Sequence, residues 1–333
     1  MKCVNIGLIG CGKITSCAHV PALLELGKKA RISAIFDLNE KAAKALKEKY
    51  SLDCKICSSV EELLETDANG VIISTPNHTH CPLTLQSLNA GKNVLVEKPM
   101  AVNLKDADKM IALAKKKGLY LQVNQSLRFN ASYVKIKKLI ESGTIGKPLH
   151  IRCLRASASS PDKGWSPGAT WFTQKSAGGG IIMDIAVHMA DMMGWYFGKP
   201  ASICSVNRKR IEKNNVPDSV TALFDFENGA TGVLELSWTI PSGGGLLEIY
   251  GDKGTIRMGF AEANAGGIML SLDGGKYKSR KAGKTKNSYS TFIDGIKGKT
   301  GVPTPEEIGR HALACCMAIE KSGETGKPVK ANV

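Results

Sequence analysis

The order of apolar and polar positions divides the chain in two. Up to about residue 125, short aliphatic runs alternate with segments whose apolar side chains recur every three or four positions. "VNIGLI", "RISAIF", "GVIIST", "KNVLVE" and "LYLQVN" read as strands, with a weaker one near "CKIC". Between them "ITSCAHVPALLEL", "NEKAAKALKEKY", "SVEELLET" and residues 80–90 and 103–117 read as helices. Ser59, with Glu62 three residues later, is the expected cap of the third. Strands that are continuous Val/Ile/Leu runs are covered on both faces, and alternation with helices makes their sheet parallel.

After Arg128 the period changes. A helix "SYVKIKKLIES" and a strand "LHIRCLRA" lead into an irregular Pro/Gly/Ser-rich stretch, residues 157–180. So long a connection is often functional. The apolar helix "GGGIIMDIAVHMADMMG" follows, then "ASICSVNRKR", "SVTALFDF", "ATGVLELSW", "LLEIYG", "GTIRMG" and "GIMLSL" at hairpin spacing. Glu227-Asn228-Gly229 and Gly251-Asp252-Lys253-Gly254 mark turns between them. A last helix covers residues 305–322. The pattern predicts an α/β domain over residues 1–125 and an α+β domain over 126–333, the second with a mostly antiparallel sheet and helices on one face.

Composition narrows the classes. A chain of 333 residues predicts about two domains. With 43% hydrophobic and 23% charged residues it can bury substantial cores. No apolar run reaches the roughly 18 residues of a membrane span. "MKCVNIGLIGCG" enters a strand directly, without a basic region before a cleavable segment, so a cytoplasmic protein is expected. Ten scattered cysteines read as reduced thiols. Cys54 and Cys57 form a lone CxxC in a strand-like run, without the second pair that zinc needs and without the helix start that a redox pair favours. No metal is expected. The formal charge of +15 raises a nucleic-acid partner. Lysines, 36 of the 45 basic residues, are spread over helix surfaces, and aromatics are only 6%. Base recognition favours Arg and aromatics, so a solvated lysine surface is the expectation.

Gly10 and Gly12 fall directly between the first strand and a helix that begins with Lys13 and Ile14. Glycines there permit a tight turn and let backbone approach a pyrophosphate at the positive helix end. Thr15 stands where the third glycine of GxGxxG would be. Asp37 follows the second strand. A carboxylate there accepts from both ribose hydroxyls and repels a 2′-phosphate, favouring NAD over NADP; its alternative is capping the next helix. Two more strands end in Thr75-Pro76-Asn77 and Glu97-Lys98-Pro99, where ligands of open α/β sheets bind. In the second half Asp184, His188 and Asp191 interrupt an apolar helix at i, i+4 and i+7, one face of an α-helix. They are a solvated face, a buried structural network or one wall of a reaction site.

"GLIGCGKI", "STPNHTHCPLTLQSLNAGKNVLVEKPM" and "GGGIIMDIAVHMADMMGWYFG", with "GDKGTI" and the closing "TGKPV", resemble the glucose–fructose oxidoreductase / inositol dehydrogenase / MocA-like (Gfo/Idh/MocA) family over nearly the whole chain. The resemblance implies a Rossmann domain followed by a large, open, mostly antiparallel sheet that commonly forms a subunit interface, hence a homodimer or homotetramer. It implies hydride transfer between a nicotinamide cofactor and a sugar, cyclic polyol or sugar derivative. Thr75, Asn77, His80, Glu97 and Lys98 match dinucleotide-lining positions, and Pro99 a proline that tends to be cis. Lys98, Asp184 and His188 match the reacting groups.

Oxidising a secondary alcohol needs a hydride acceptor and a base for the hydroxyl proton. His188 is the preferred base, since imidazole titrates near operating pH. Asp184 would hold the imidazole or bind an adjacent hydroxyl, and Lys98 would stabilise developing alkoxide charge. A Lys98–His188 relay is the alternative. Asp191, a turn farther on, reads as structural. Arg128 and Arg155 would meet a substrate anion or form ion pairs. Trp165, Trp171 and Phe172 would form a sugar-stacking lid or pack in a core. His19, His150 and His311 read as solvated or satisfied core residues. Two other classes fit the same motifs. One is a glycosidase or lyase that oxidises transiently and regenerates its NAD; the other is a non-enzymatic cofactor sensor.

Overall fold

The computed structural model describes residues 3–241, 243–259, 267–299 and 305–333. The chain divides into two compact units, residues 1–124 with 286–310, and residues 125–285 with 311–333. In the first, β1 (Val4–Ile9), β2 (Ala30–Phe36), β3 (Lys55–Ile56), β4 (Gly70–Ile73), β5 (Asn93–Val96) and β6 (Leu121–Val123) form one sheet in the order β3-β2-β1-β4-β5-β6. Every pairing is parallel. Strand order reverses between β1 and β4, the switch point where such sheets bind ligands.

Helices α1 (Val20–Glu25), α2 (Glu40–Lys49), α3 (Val60–Glu65), α4 (His80–Asn89) and α5 (Leu104–Lys117) connect the strands. Their ends follow local chemistry. Ser59 accepts the Glu62 N–H at the start of α3, and Asn103 accepts the Asp106 N–H at the start of α5. Each cap is worth about 1 kcal/mol. All four residues of β4 are buried, as helix cover on both faces requires.

In the second unit β7 (Pro148–Ala156), β8 (Pro200–Arg208), β9 (Ser219–Phe226), β10 (Thr231–Ser237), β11 (Gly244–Gly251), β12 (Gly254–Gly259), β13 (Gly267–Leu272) and β14 (Lys278–Lys281) make a sheet ordered β14-β13-β12-β11-β7-β10-β9-β8. Its pairings are antiparallel except β7 with β10. β9 shows the pattern of a half-covered sheet: Val220, Ala222, Phe224 and Phe226 are buried, while Thr221, Leu223 and Asp225 are exposed. Helices α6 (Ala131–Glu141) and α7 (Val187–Phe197) pack together, and α7 lies against β7. On the open face an ion-pair ladder, Glu235–Arg152–Glu248–Arg257, crosses β10, β7, β11 and β12.

The domain limits read from the sequence need one correction. Residues 126–333 are not one continuous unit, because 286–310 return to the first. Helix α8 (Ser288–Ile296) places Tyr289, Phe292 and Ile293 in the same core as Val4, Ile6 and Leu95. Helix α9 (Pro305–Thr325) starts there too, its Arg310 on Asp108 and Glu307 on Lys115. From His311 onward it belongs to the second unit, where Ser322 accepts the Ser205 N–H.

Candidate functional site

In the first unit the residues just beyond the strands form a continuous lip. Gly10, Ser74, Glu97 and Asn124 donate their backbone N–H groups to Phe36, Ile9, Ile73 and Val96, the last residues of the neighbouring strands. The sheet therefore fixes all four at one level. Gly10 has φ +98, and a Cβ there would stand 2.6 Å from the Ser74 carbonyl oxygen, so glycine is required. Above Gly12 nothing lies within 4 Å of an added Cβ. Lys13 is exposed and Ile14 half-buried. Thr15 fills the third-glycine position with a use of its own: its hydroxyl is buried, 2.7 Å from the Gly10 carbonyl oxygen and 2.6 Å from the Ser74 hydroxyl.

Asp37 accepts the Cys11 N–H on one oxygen and the Asn39 N–H on the other, at 2.7 and 2.8 Å. It ties the glycine turn to the second strand, and each oxygen keeps a further lone pair. The cap of α2 is Asn39 instead. An open glycine turn, helical N–H groups and a braced carboxylate one strand away fit the pyrophosphate and ribose of a dinucleotide.

Farther along the lip, Thr75 bonds Thr79 through the two hydroxyls, and buried Asn77 opens a short turn. The buried His80 ring touches two carbonyl oxygens, those of Pro99 at 2.7 Å and Thr75 at 2.8 Å. Burial pushes its basicity down, opposed by those carbonyls and Glu97. His80 thus joins the two loops that follow β4 and β5. The Lys98–Pro99 peptide is cis, and Lys98 is half-buried. Glu97 is buried and accepts from Asn124 at 2.6 Å and from the Lys98 N–H at 3.2 Å, with His19 Nε2 3.4 Å away.

In the second unit the helical run that carries the titratable stripe opens with a π turn, Ile182–Ala186, and continues as α7. Asp184 and His188 are half-buried, whereas Asp191 is fully buried. The π turn breaks the i, i+4, i+7 expectation of one uniform face. Asp191 points to Arg128, whose Nε and Nη2 reach its oxygens at 2.9–3.1 Å. The guanidinium also lies 5.0 Å from the Trp195 ring centroid. Of the two roles considered for Arg128, the ion pair is the one the geometry supplies. Burial pushes the Asp191 carboxyl up and Arg128 draws it down.

The three glycines before the π turn admit a close approach. A Cβ on Gly179 would stand 2.5 Å from the carbonyl oxygens of both Trp171 and Phe172. Those two rings stack at 3.8 Å, Phe172 buried and Trp171 half-buried. The loop aromatics are thereby held against the start of the helix bearing Asp184. Trp165 is 49% exposed. Arg155, half-buried at the end of β7, shares the register face of the buried Ile151 and Cys153.

The remaining candidates are structural. Cys54 and Cys57 are free, buried thiols on either side of β3, and burial raises both. Cys11 is pushed up to about 12 by burial and Asp37. His150 pairs with Thr231; His311 lies beside Cys315, and burial lowers its basicity to about 4. Among the described residues no cluster of three or more His, Cys, Asp or Glu is placed to hold a metal, and no helix is long and apolar enough to cross a membrane. Sequence reasoning missed Asn124, Tyr289 and Ser288. Asn124 follows β6, and the strand-end rule applied to β4 and β5 would have found it. No motif marks the other two.

Comparison with known proteins agrees with this geometry. Residues 4–125 match the model of an oxidoreductase family with an NAD-binding Rossmann fold, and residues 133–257 match the GFO/IDH/MocA C-terminal domain. A 1,5-anhydro-D-fructose reductase from Ensifer adhaerens is 30% identical over 82% of this chain and 83% of its own length. A myo-inositol 2-dehydrogenase from Thermotoga maritima is 29% identical over 98% of each chain. The crystal structure of the WlbA dehydrogenase from Bordetella pertussis, in complex with NADH and UDP-GlcNAcA, superposes with a TM-score of 0.86 at 25% identity over 99% of both chains. This chain belongs to the Gfo/Idh/MocA family of oxidoreductases, with an NAD-binding Rossmann unit and the family's C-terminal domain.

Proposed function

We propose that the protein is an NAD-dependent dehydrogenase that moves a hydride between the nicotinamide ring and a secondary alcohol of a sugar, cyclic polyol or sugar derivative. The observation that carries this is the contrast along the helical run from Ile182 to Phe197. Asp184 and His188 keep part of their surface, while their neighbours Met183, Val187 and Asp191 are buried. Ionisable groups held half-dry on a rigid helix suit proton transfer better than solvation. The named relatives act on cyclic polyols and sugar derivatives, which supports the substrate class.

In this reading Gly10, Gly12, Lys13 and Ile14 receive the pyrophosphate, and Asp37 receives the ribose hydroxyls and disfavours a 2′-phosphate. Thr75, Asn77, His80 and Glu97 shape the nicotinamide end. The cofactor supplies the hydride acceptor. His188 takes the hydroxyl proton, Asp184 orients the imidazole or an adjacent hydroxyl, and the Lys98 ammonium stabilises negative charge on the reacting oxygen. Arg155 and Trp171 are assigned to substrate contact. A panel of inositols, aldoses and sugar nucleotides assayed by NADH absorbance tests this. His188→Ala and Lys98→Met are each expected to lower kcat/KM about 10²–10⁴-fold with cooperative melting preserved. Wild-type rates in either variant would refute that residue's role.

Assembly as a homodimer or homotetramer is assigned to the open face of the second sheet, where Val206 and Leu223 are more than half exposed beside the ion-pair ladder. Leu223→Lys should lower the sedimenting mass; an unchanged mass would place the interface elsewhere.

A further inference from the structure

A buried carboxylate is costly unless its surroundings are built for the charge. Around Glu97, which is 8% exposed, the hydrogen bonds run one way. Gln122 Nε2 donates to Ser288 Oγ at 2.7 Å, Ser288 donates to Asn124 Oδ1 at 2.7 Å, and Asn124 Nδ2 donates to Glu97 Oε1 at 2.6 Å. Lys98 N–H donates to Oε2.

The second branch passes through His19, a fully buried ring whose basicity burial lowers, so that it is neutral. Its Nδ1 lies 2.7 Å from the Tyr289 hydroxyl and its Nε2 3.4 Å from Glu97 Oε1. A lone pair on Nε2 would face the carboxylate, so the proton belongs on Nε2. Tyr289 must then donate to Nδ1. The first branch ends in donation to Glu97 Oε1 and the Lys98 N–H donates to Oε2, while the His19 ring faces the same carboxylate at 3.4 Å without a hydrogen bond, so Glu97 is left as acceptor alone.

A glutamine could satisfy a structural frame of this kind without a buried charge. Here the hydrogen-bond polarity is complete only for the anion. The carboxylate stands at the end of β5, on the lip of strand ends to which the proposed function assigns the nicotinamide half of a dinucleotide. The oxidised nicotinamide ring carries a positive charge that the reduced ring lacks.

We propose that Glu97 is a fixed anion that discriminates between the two oxidation states of the bound cofactor, held by Asn124 and, through it, Ser288 as positioning residues. This rests on the nicotinamide reading above. The charge favours NAD over NADH, so it holds the hydride acceptor and loosens the reduced product after transfer.

The test titrates wild type, Glu97→Gln and Glu97→Asp separately with NADH, by its fluorescence, and with NAD, by calorimetry. Removing one unit charge at this depth should weaken NAD relative to NADH by about tenfold in Glu97→Gln. Glu97→Asp, which keeps the charge, should hold the ratio within about twofold of wild type. Asn124→Ala should fall between them, as expected of a positioning residue. Equal weakening of both forms in Glu97→Gln, the result of mere structural loss, overturns the proposal. Should that variant lack a cooperative melt, Glu97→Ala is read by the same ratio. If wild type binds neither cofactor, the nicotinamide reading itself falls.

Discussion

Two helical runs in this molecule begin in the same unusual way and deliver different things. Both follow a glycine-rich turn and both open with a π turn, Thr15–His19 in the first unit and Ile182–Ala186 in the second. In the first, the buried side chains Thr15 and His19 face inward, and the exposed positions are Gly12 and Lys13 before the turn and Cys17 within it. What it offers at its glycine end is backbone. In the second, Ile182 and Met183 anchor the turn and Asp184 keeps part of its surface. What it offers is side chains. Backbone N–H groups suit a phosphate that every dinucleotide shares; side chains suit a proton and a specific carbinol. The glycines differ accordingly, Gly10 serving a left-handed turn and Gly179 the approach of two carbonyls.

The largest effect that would sharpen this contrast lies at the far end of the second helix. Asp191→Ala leaves the Arg128 guanidinium without its buried carboxylate, which should cost about 3–5 kcal/mol in urea unfolding. A loss below 1 kcal/mol would mean that the pair does not anchor α7. Next come reciprocal changes at the two helix starts. Gly179→Ala must displace the Trp171 and Phe172 carbonyls, at about 1–3 kcal/mol, and should raise the sugar KM while leaving NADH affinity unchanged. Thr15→Val strands the Gly10 and Ser74 oxygens at about 1–2 kcal/mol and should do the reverse. Equal effects of both variants on both ligands would erase the distinction.

The smallest effect is electrostatic. His311, beside Gly194 on the same helical wall, has its basicity lowered from 6.5 to about 4 by burial and by Arg128 and Lys199. The unfolded ring takes a proton more readily than the folded one. Its contribution to stability is therefore complete above about pH 6.5 and is lost as pH falls through 4. The slope across this window should be at most about 1.4 kcal/mol per pH unit. His311→Gln should flatten the slope of unfolding free energy across this window, whereas an unchanged slope would assign the acid sensitivity to other groups.

Much of this architecture was legible because local chemistry and tertiary packing agree. The Ser59 cap and the Asn103 start of α5 match the pattern that predicted them, and β9 alternates as a sheet with helices on one face requires. The illegible parts are those in which partners are far apart in sequence. Arg128 and Asp191 are 63 residues apart, and His19 and Tyr289 are 270 apart, with no spacing rule to join them. The π turns escaped because the 3.6 period was assumed throughout. β14 escaped because all four of its residues are exposed, which leaves no alternation to read. Helix α8 escaped because it is only nine residues long, too short for its apolar period to stand out.

The return of residues 286–310 to the first unit has an evolutionary and practical consequence. The polypeptide passes from one unit to the other at 124/125, 285/286 and 310/311, the last time within a single continuous helix. A fragment cut at residue 125 would lack α8, exposing the apolar surface that Phe292 and Ile293 cover and depriving Asn124 and His19 of Ser288 and Tyr289. Grafting a different second unit onto the first therefore means replacing both an insertion and a tail, across three seams.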